Sequence, residues 1–181
     1  APTGGYIVGR QDVIDCVSCR LTAPGIGREV GSYAGSYRRS IRGLFLAPHV
    51  VAQAVRTSVL AAAVCEALGM RSTPAPDDRR TDIIQALELG TPERLIAFCQ
   101  GIQMASPIDS MALPEPWDMP GYQHQVIMAA GTFVSGASIE LSADAPMREP
   151  YTAFLQGGLT YSHGKLALTR TFEYMQKKGL L

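Results

Sequence analysis

The sequence predicts an α/β chain in two parts, the second an open antiparallel sheet with helices packed on one face. Three observations carry this expectation. Residues 48–68 hold the strongest helical pattern, with Val51, Val55 and Val59 recurring every four residues among alanines. Residues 126–133 are apolar and nearly free of charge, as a strand buried within a sheet is. Between them residues 71–80, RSTPAPDDRR, are polar and proline-rich, which marks a linker between subdomains.

In chain order, residues 3–9 read as a short glycine-bounded strand and residues 10–20 as a helix with Val13, Ile14 and Val17 on one face. Residues 21–27 form a loop around the Pro24-Gly25 turn signal. Residues 33–46 are a second helix mixing Tyr33 and Tyr37 with Arg38, Arg39 and Arg42. A solvated face is favoured there over a partner surface, because arginine usually stays exposed. In the third helix, residues 48–68, Leu60, Val64 and Leu68 add a second apolar stripe, so the helix must be sandwiched. His49 in its first turn reads as packing or capping, and Gly69 as its stop.

Past the linker, residues 82–89 are expected as a strand. Thr91-Pro92-Glu93 then supplies an N-cap, an N1 proline and an early acid for a helix that buries Leu95, Phe98, Cys99 and Ile102 and ends at Ser106-Pro107. Residues 108–125 carry Pro114, Pro116 and Pro120 with Trp117 and Tyr122, a long irregular loop of the kind that serves as a lid or an assembly contact. A break at Ser135-Gly136 separates the strand at 126–133 from a second at 137–141, where Ala137, Ile139 and Leu141 alternate with Ser138 and Glu140. A third strand is expected at 151–156. Gly157-Gly158 then precedes a terminal helix over 159–178 that places Tyr161, Leu168, Phe172 and Met175 on one face.

Sixteen basic and sixteen acidic residues leave no net charge on the 181-residue chain, so there is no electrostatic footprint for nucleic acid or for a membrane surface. With 46% hydrophobic residues, that neutrality favours association of copies. No apolar run is read as long enough to span a bilayer, and no signal pattern opens the chain, so a cytoplasmic location is expected. Cys16 and Cys19 form a CxxC without a second ligand pair, while Cys65 and Cys99 sit singly in apolar patterns; reduced thiols are expected in place of a metal or redox centre.

Few residues announce chemistry. Arg148 lies between Pro146 and Pro150, each of which fixes its own φ and restricts its predecessor, and a guanidinium so held suits a forked contact to a carboxylate. A plain surface position is the commoner fate of an arginine. Gly25 and Gly27 could admit an anion to the backbone, but Gly31 misses the dinucleotide spacing by one residue. GLTYSHGK at 158–165 imitates a P-loop, yet five residues separate its glycines where four are required, and Leu166 replaces the magnesium-binding hydroxyl. No Ser–His, Cys–His or paired-acid arrangement is legible.

Six blocks carry a resemblance that goes further: PTGGYIVG, RLTAPGIG, GLFLAPHV, TDIIQALEL, MPGYQHQVIMAAGTFVSGASIELSAD and LQGGLTYSHGK. In this order and spacing the chain resembles, end to end, the cystathionine β-lyase-like pyridoxal-phosphate enzymes often labelled aluminium resistance proteins, which are also methionine γ-lyase-like. The resemblance implies a PLP-dependent transferase fold of type I, with residues 1–70 ending the large domain, 71–80 as linker and 81–181 as a small C-terminal α+β domain with an antiparallel sheet. It implies a carbon–sulfur lyase-like reaction on an amino acid such as cystathionine, methionine or cysteine, with pyridoxal 5′-phosphate as electron sink. The family's Schiff-base lysine is expected upstream of Ala1, since Lys165, Lys177 and Lys178 match no such motif. By the same resemblance Arg148 is the α-carboxylate clamp, Ser135 adds a hydrogen bond to it, and Thr22, Gly25 and Gly27 lie in a loop near the active site. The implied partners are the amino-acid substrate, the missing N-terminal half and further copies in a dimer or tetramer. A non-catalytic assembly or ligand-binding role, and a different PLP reaction such as transamination or decarboxylation, remain alternatives.

Overall fold

The computed structural model describes residues 7–21, 25–26, 37–130 and 140–181. It divides into two compact units, Ala1–Pro48 and His49–Leu181. The first unit holds helix α1 (Gln11–Leu21), which buries no residue, and the start of helix α2 (Tyr37–Ala67). The two helices expected at 33–46 and 48–68 are thus one, with Pro48 inside it. By length and composition α2 is apolar enough to cross a membrane, which corrects the expectation that no stretch is; 33% of that window is buried.

In the second unit five strands follow: β1 (Arg71–Thr73), β2 (Gln85–Glu88), β3 (Val126–Ala130), β4 (Ser142–Pro146) and β5 (Thr152–Gln156). They are interleaved with helices α3 (Pro92–Met104) and α4 (Tyr161–Lys177). The sheet order is β1-β2-β5-β4-β3, and every pairing is antiparallel. An antiparallel sheet with its helices on one face is therefore present as expected. Helix α3 lies across β3, β4 and β5, and α4 packs along α3.

Period-two alternation divides the strand side chains between two faces. Ile127, Ala129, Ala143, Ala145, Ala153 and Leu155 point into the core with Leu95, Phe98 and Ile102 of α3. Ala61 and Cys65 of α2, and Leu168 and Met175 of α4, complete that core. Helix α3 starts as the sequence indicated, with Thr91 Oγ1 accepting from the Arg94 N–H at 3.3 Å and Pro92 at the first helical turn.

Within the expected linker at 71–80, β1 pairs with β2, and the fully buried Gln85 donates to the Pro74 carbonyl at 2.9 Å and accepts from Arg80 at 2.5 Å. Ser58 of α2 also donates to the Ile83 carbonyl at 2.8 Å. One expectation needs correction. Strand β4 falls at 142–146; Glu140 and Leu141, placed in the strand by their alternation, sit in a bend, and 137–139 lie outside the described residues. The reason is steric. Beneath α3 the sheet needs small side chains, and Ala143 and Ala145 supply them despite alanine's weak strand preference.

The glycines of the P-loop lookalike serve packing. A Cβ on Gly164 would collide with the side chain of Thr57 on α2, and one on Gly158 would stand 2.9 Å from the Thr57 hydroxyl. The N–H groups of Tyr161 and His163 are already taken by Gln53 Oε1 at 2.9 Å and Thr160 Oγ1 at 3.2 Å. Both glycines and these two donors thus serve the contact with α2 and the start of α4.

Gly101 of α3 is the tightest crossing with α4, because a Cβ would come within 2.8 Å of the Thr171 Cα and 2.7 Å of its methyl. Alanine is worth about 1 kcal/mol over glycine in a helix interior. Overpacking against a backbone atom that cannot rotate away costs about 1–3 kcal/mol and outweighs it. Gly101→Ala is expected to lower stability in urea unfolding, whereas the same change at an open helical position raises it.

Candidate functional site

The face of the sheet opposite α3 carries the side chains that the alternation turns outward. Cross-strand register places Met128 beside Asp144 and Asp144 beside Phe154, in one row across β3, β4 and β5. This row floors a groove of about 590 Å³, whose walls include Tyr122, His124, Pro146 and Arg148. That volume falls in the range of small-molecule sites, roughly 300–1,000 Å³.

The wall formed by the long loop is held by backbone and side-chain bonds. Trp117 and Val126 exchange N–H···O bonds at 3.1 and 3.0 Å, which adds a bridge at the edge of β3. Two buried glutamines of α3 reach into the same loop: Gln100 donates to the Pro114 carbonyl at 3.2 Å and Gln103 to the Asp109 carbonyl at 3.0 Å. Gln103 also accepts the Ala130 N–H at 2.9 Å, and Gln100 accepts from the Tyr174 hydroxyl at 3.0 Å. Both side chains are thereby satisfied, as buried amides must be. The expected irregular loop is thus anchored at Asp109, Pro114 and Trp117.

Arg148 sits just past the end of β4. A tight reversal holds it: its N–H donates to the Pro146 carbonyl at 2.8 Å and its carbonyl accepts from the Tyr151 N–H at 2.7 Å. The guanidinium is exposed, lines the groove and forms no hydrogen bond or ion pair among the described residues. Asp144 is the other charge in the groove. It is half-buried and unpaired among the described residues, and burial raises its carboxyl pKa above the ordinary 3.8. A desolvated carboxylate without a partner is unfavourable in itself.

Of the candidate ligand-binding residues, Arg148 lies at this groove, with Pro146 beside it and Tyr122 of the expected lid loop in its wall. Gly25 lies in a turn of the first unit with φ 82°, and Thr22, Gly27 and Ser135 lie outside the described residues. Asp144, Met128 and Phe154 were missed. The signal that finds Asp144 is the alternation in SADAP, where two alanines face the core and the residue between them faces outward.

The cysteines divide by burial. Cys16 and Cys19 are exposed on α1, while burial pushes the Cys65 and Cys99 thiols up to about 12, so these two are inert packing groups. Among the described residues no three His, Cys, Asp or Glu side chains converge to hold a metal ion. Lys165 and Lys177 of α4 and Lys178 just beyond it are exposed, and none lines the groove. The residues present do not fit a covalent anchor for pyridoxal phosphate; they fit the binding of a small charged ligand.

Comparison with known proteins gives a consistent result. The family described as methionine gamma-lyase matches residues 1–176. The uncharacterized protein YnbB of Bacillus subtilis (strain 168) is 52% identical over the whole chain, and an uncharacterized 33.9 kDa protein of Lactobacillus delbrueckii subsp. bulgaricus is 45% identical over 97% of it. The chain covers 43% and 57% of those proteins, about half the length of the curated relatives it matches. Among solved structures, a candidate cystathionine beta-lyase involved in aluminum resistance from Clostridium acetobutylicum superposes with a TM-score of 0.86 at 50% identity, covering 97% of this chain and 40% of that one. A carbon-sulfur lyase involved in aluminum resistance from Clostridium novyi NT gives 0.79 at 49% identity, covering 90% and 38%.

The unpaired Asp144 sets a stability test. Its folded pKa is raised, so between the ordinary value of 3.8 and the folded value the native state holds more protons than the unfolded one, and stability falls as pH rises through that window. Asp144→Asn is expected to raise the thermal midpoint at pH 7, with the advantage shrinking as the pH falls toward 3.8. Calorimetric scans across that range check it.

Proposed function

This chain belongs to the methionine gamma-lyase family, and from that premise we propose that it is the C-terminal part of a carbon–sulfur lyase-like enzyme acting on an amino acid such as cystathionine, methionine or cysteine. The observation that carries the reading is Arg148, held in a tight reversal at the rim of the groove with its guanidinium unpaired among the described residues. A fixed fork of N–H donors is what a substrate α-carboxylate needs, and holding the carboxylate fixes the orientation of the bonds at the α-carbon.

The reading takes residues 1–70 as the end of the large domain of a type I fold, 71–80 as the linker and 81–181 as the small C-terminal domain. Pyridoxal 5′-phosphate would supply the electron sink in the complete enzyme, anchored by a lysine from the remaining length that the relatives have. This chain's own part is to bind and orient: Arg148 takes the carboxylate, and Ser135 is its proposed second donor. An assembly of two or four copies belongs to the same reading. One observation favours a second reading for the chain taken alone, that of a ligand-binding piece without catalysis: all three of its lysines lie outside the groove.

The test uses the full-length protein supplied with pyridoxal phosphate and given cystathionine, methionine and cysteine in turn. Release of a 2-oxo acid and ammonia together with a thiol, or hydrogen sulfide from cysteine, is expected; amino-group transfer without free ammonia, or carbon dioxide release, would place the reaction in another class. Arg148→Leu is expected to weaken amino-acid binding roughly 10- to 100-fold, the loss of a charge-assisted pair. Unchanged affinity would remove Arg148 from the carboxylate site.

A further inference from the structure

The groove holds a second charge that the Arg148 reading does not use. Asp144 stands mid-strand in β4, four positions before Arg148, with Met128 and Phe154 on either side of it in the sheet. Its neighbours in the core-facing direction, Ala143 and Ala145, are fully buried, so the strand cannot rotate to release the carboxylate to solvent. Met128 and Phe154 withdraw it from water without offering a hydrogen bond. No ion pair or hydrogen bond reaches it among the described residues, and Arg148, although it lines the same groove, is not among the groups that shift its titration.

Two opposite charges therefore face one volume without meeting. On an extended strand their Cα atoms are at most about 13 Å apart. A guanidinium and a carboxylate that leave each other free are complementary to a ligand with one anionic and one cationic end. The apolar surfaces of Met128 and Phe154 suit an aliphatic or thioether segment between those ends.

We propose that Asp144 is the acceptor for a second ammonium group of the ligand, remote from the carboxylate that meets Arg148, so that the groove selects substrates carrying a distal positive charge. The proposal rests on the reading of Arg148 as the carboxylate clamp, but the two residues fail separately. A ligand ammonium would restore to Asp144 the charge partner that folding denies it. Apolar side chains around the pair keep it from being diluted by water, which gives the contact weight in selectivity. Of the candidate substrates, cystathionine, which carries a second amine remote from its α-carboxylate, would be preferred over methionine and cysteine.

Isothermal titration calorimetry on the full-length protein tests this with three probes: n-butylammonium, butyrate and 6-aminohexanoate. Wild-type protein is expected to bind 6-aminohexanoate more tightly than either single-ended probe. Asp144→Asn, nearly isosteric, is expected to weaken butylammonium and 6-aminohexanoate about tenfold and to leave butyrate unchanged, while Asp144→Glu retains part of the amine affinity. Arg148→Leu is expected to weaken butyrate and spare butylammonium. If Asp144→Asn binds the amines as wild type does, or if wild type binds no amine, the assignment of Asp144 is overturned. If Arg148→Leu leaves butyrate unaffected, only the clamp falls.

Discussion

A sheet covered by helices on one face must place every other side chain of its strands somewhere else. In the second unit that constraint is enforced by close approach. Ala129, Ala143, Ala145 and Ala153 form a low floor on which α3 rests, and Gly101 lets α4 close against α3 with no room for a methyl group. With the inner face so tightly specified, a slip of one residue in β4 would drive Asp144 into the core and expel two alanines. The register of the strands is therefore set by the packing on one side, and the chemistry on the other side inherits it.

Much of this was legible in the chain. Thr91-Pro92-Glu93 begins a helix because an N-cap hydroxyl, a fixed φ and an early acid all act locally. The apolar run at 126–130 is a strand for equally local reasons. What failed to show were the elements decided by tertiary contact. SADAP has poor strand propensity, and it is a strand because two neighbouring strands and a helix require small residues there. RSTPAPDDRR has the composition of a linker, yet Gln85 reaches back to the Pro74 carbonyl and Arg80 to Gln85 to fold it onto the sheet. Pro48 looked like a helix start because proline usually is one, and here the helix runs through it.

The candidate site divides the same way. Arg148 was visible because flanking prolines mark it, and the structure gives it the restricted backbone those prolines imply. Asp144 was missed although the alternation in SADAP turns it outward, because that pattern does not say that its neighbours across the strands are methionine and phenylalanine. Resemblance supplied a role for the first and was silent on the second. The blocks that carried the resemblance also contain packing devices, such as Gly158 and Gly164 against Thr57, so a shared motif here reports architecture as well as chemistry.

The two glutamines of α3 give the architecture an unusual economy. A helix buried in the interior extends amides outward to Pro114 and Asp109 while its apolar face grips the strands. Interior and loop are therefore joined at the base of the wall, at residues that do not themselves line the groove. Substitutions under that helix would shift Pro114 and Asp109 with it, and so alter the footing of the loop without touching any residue that faces the groove.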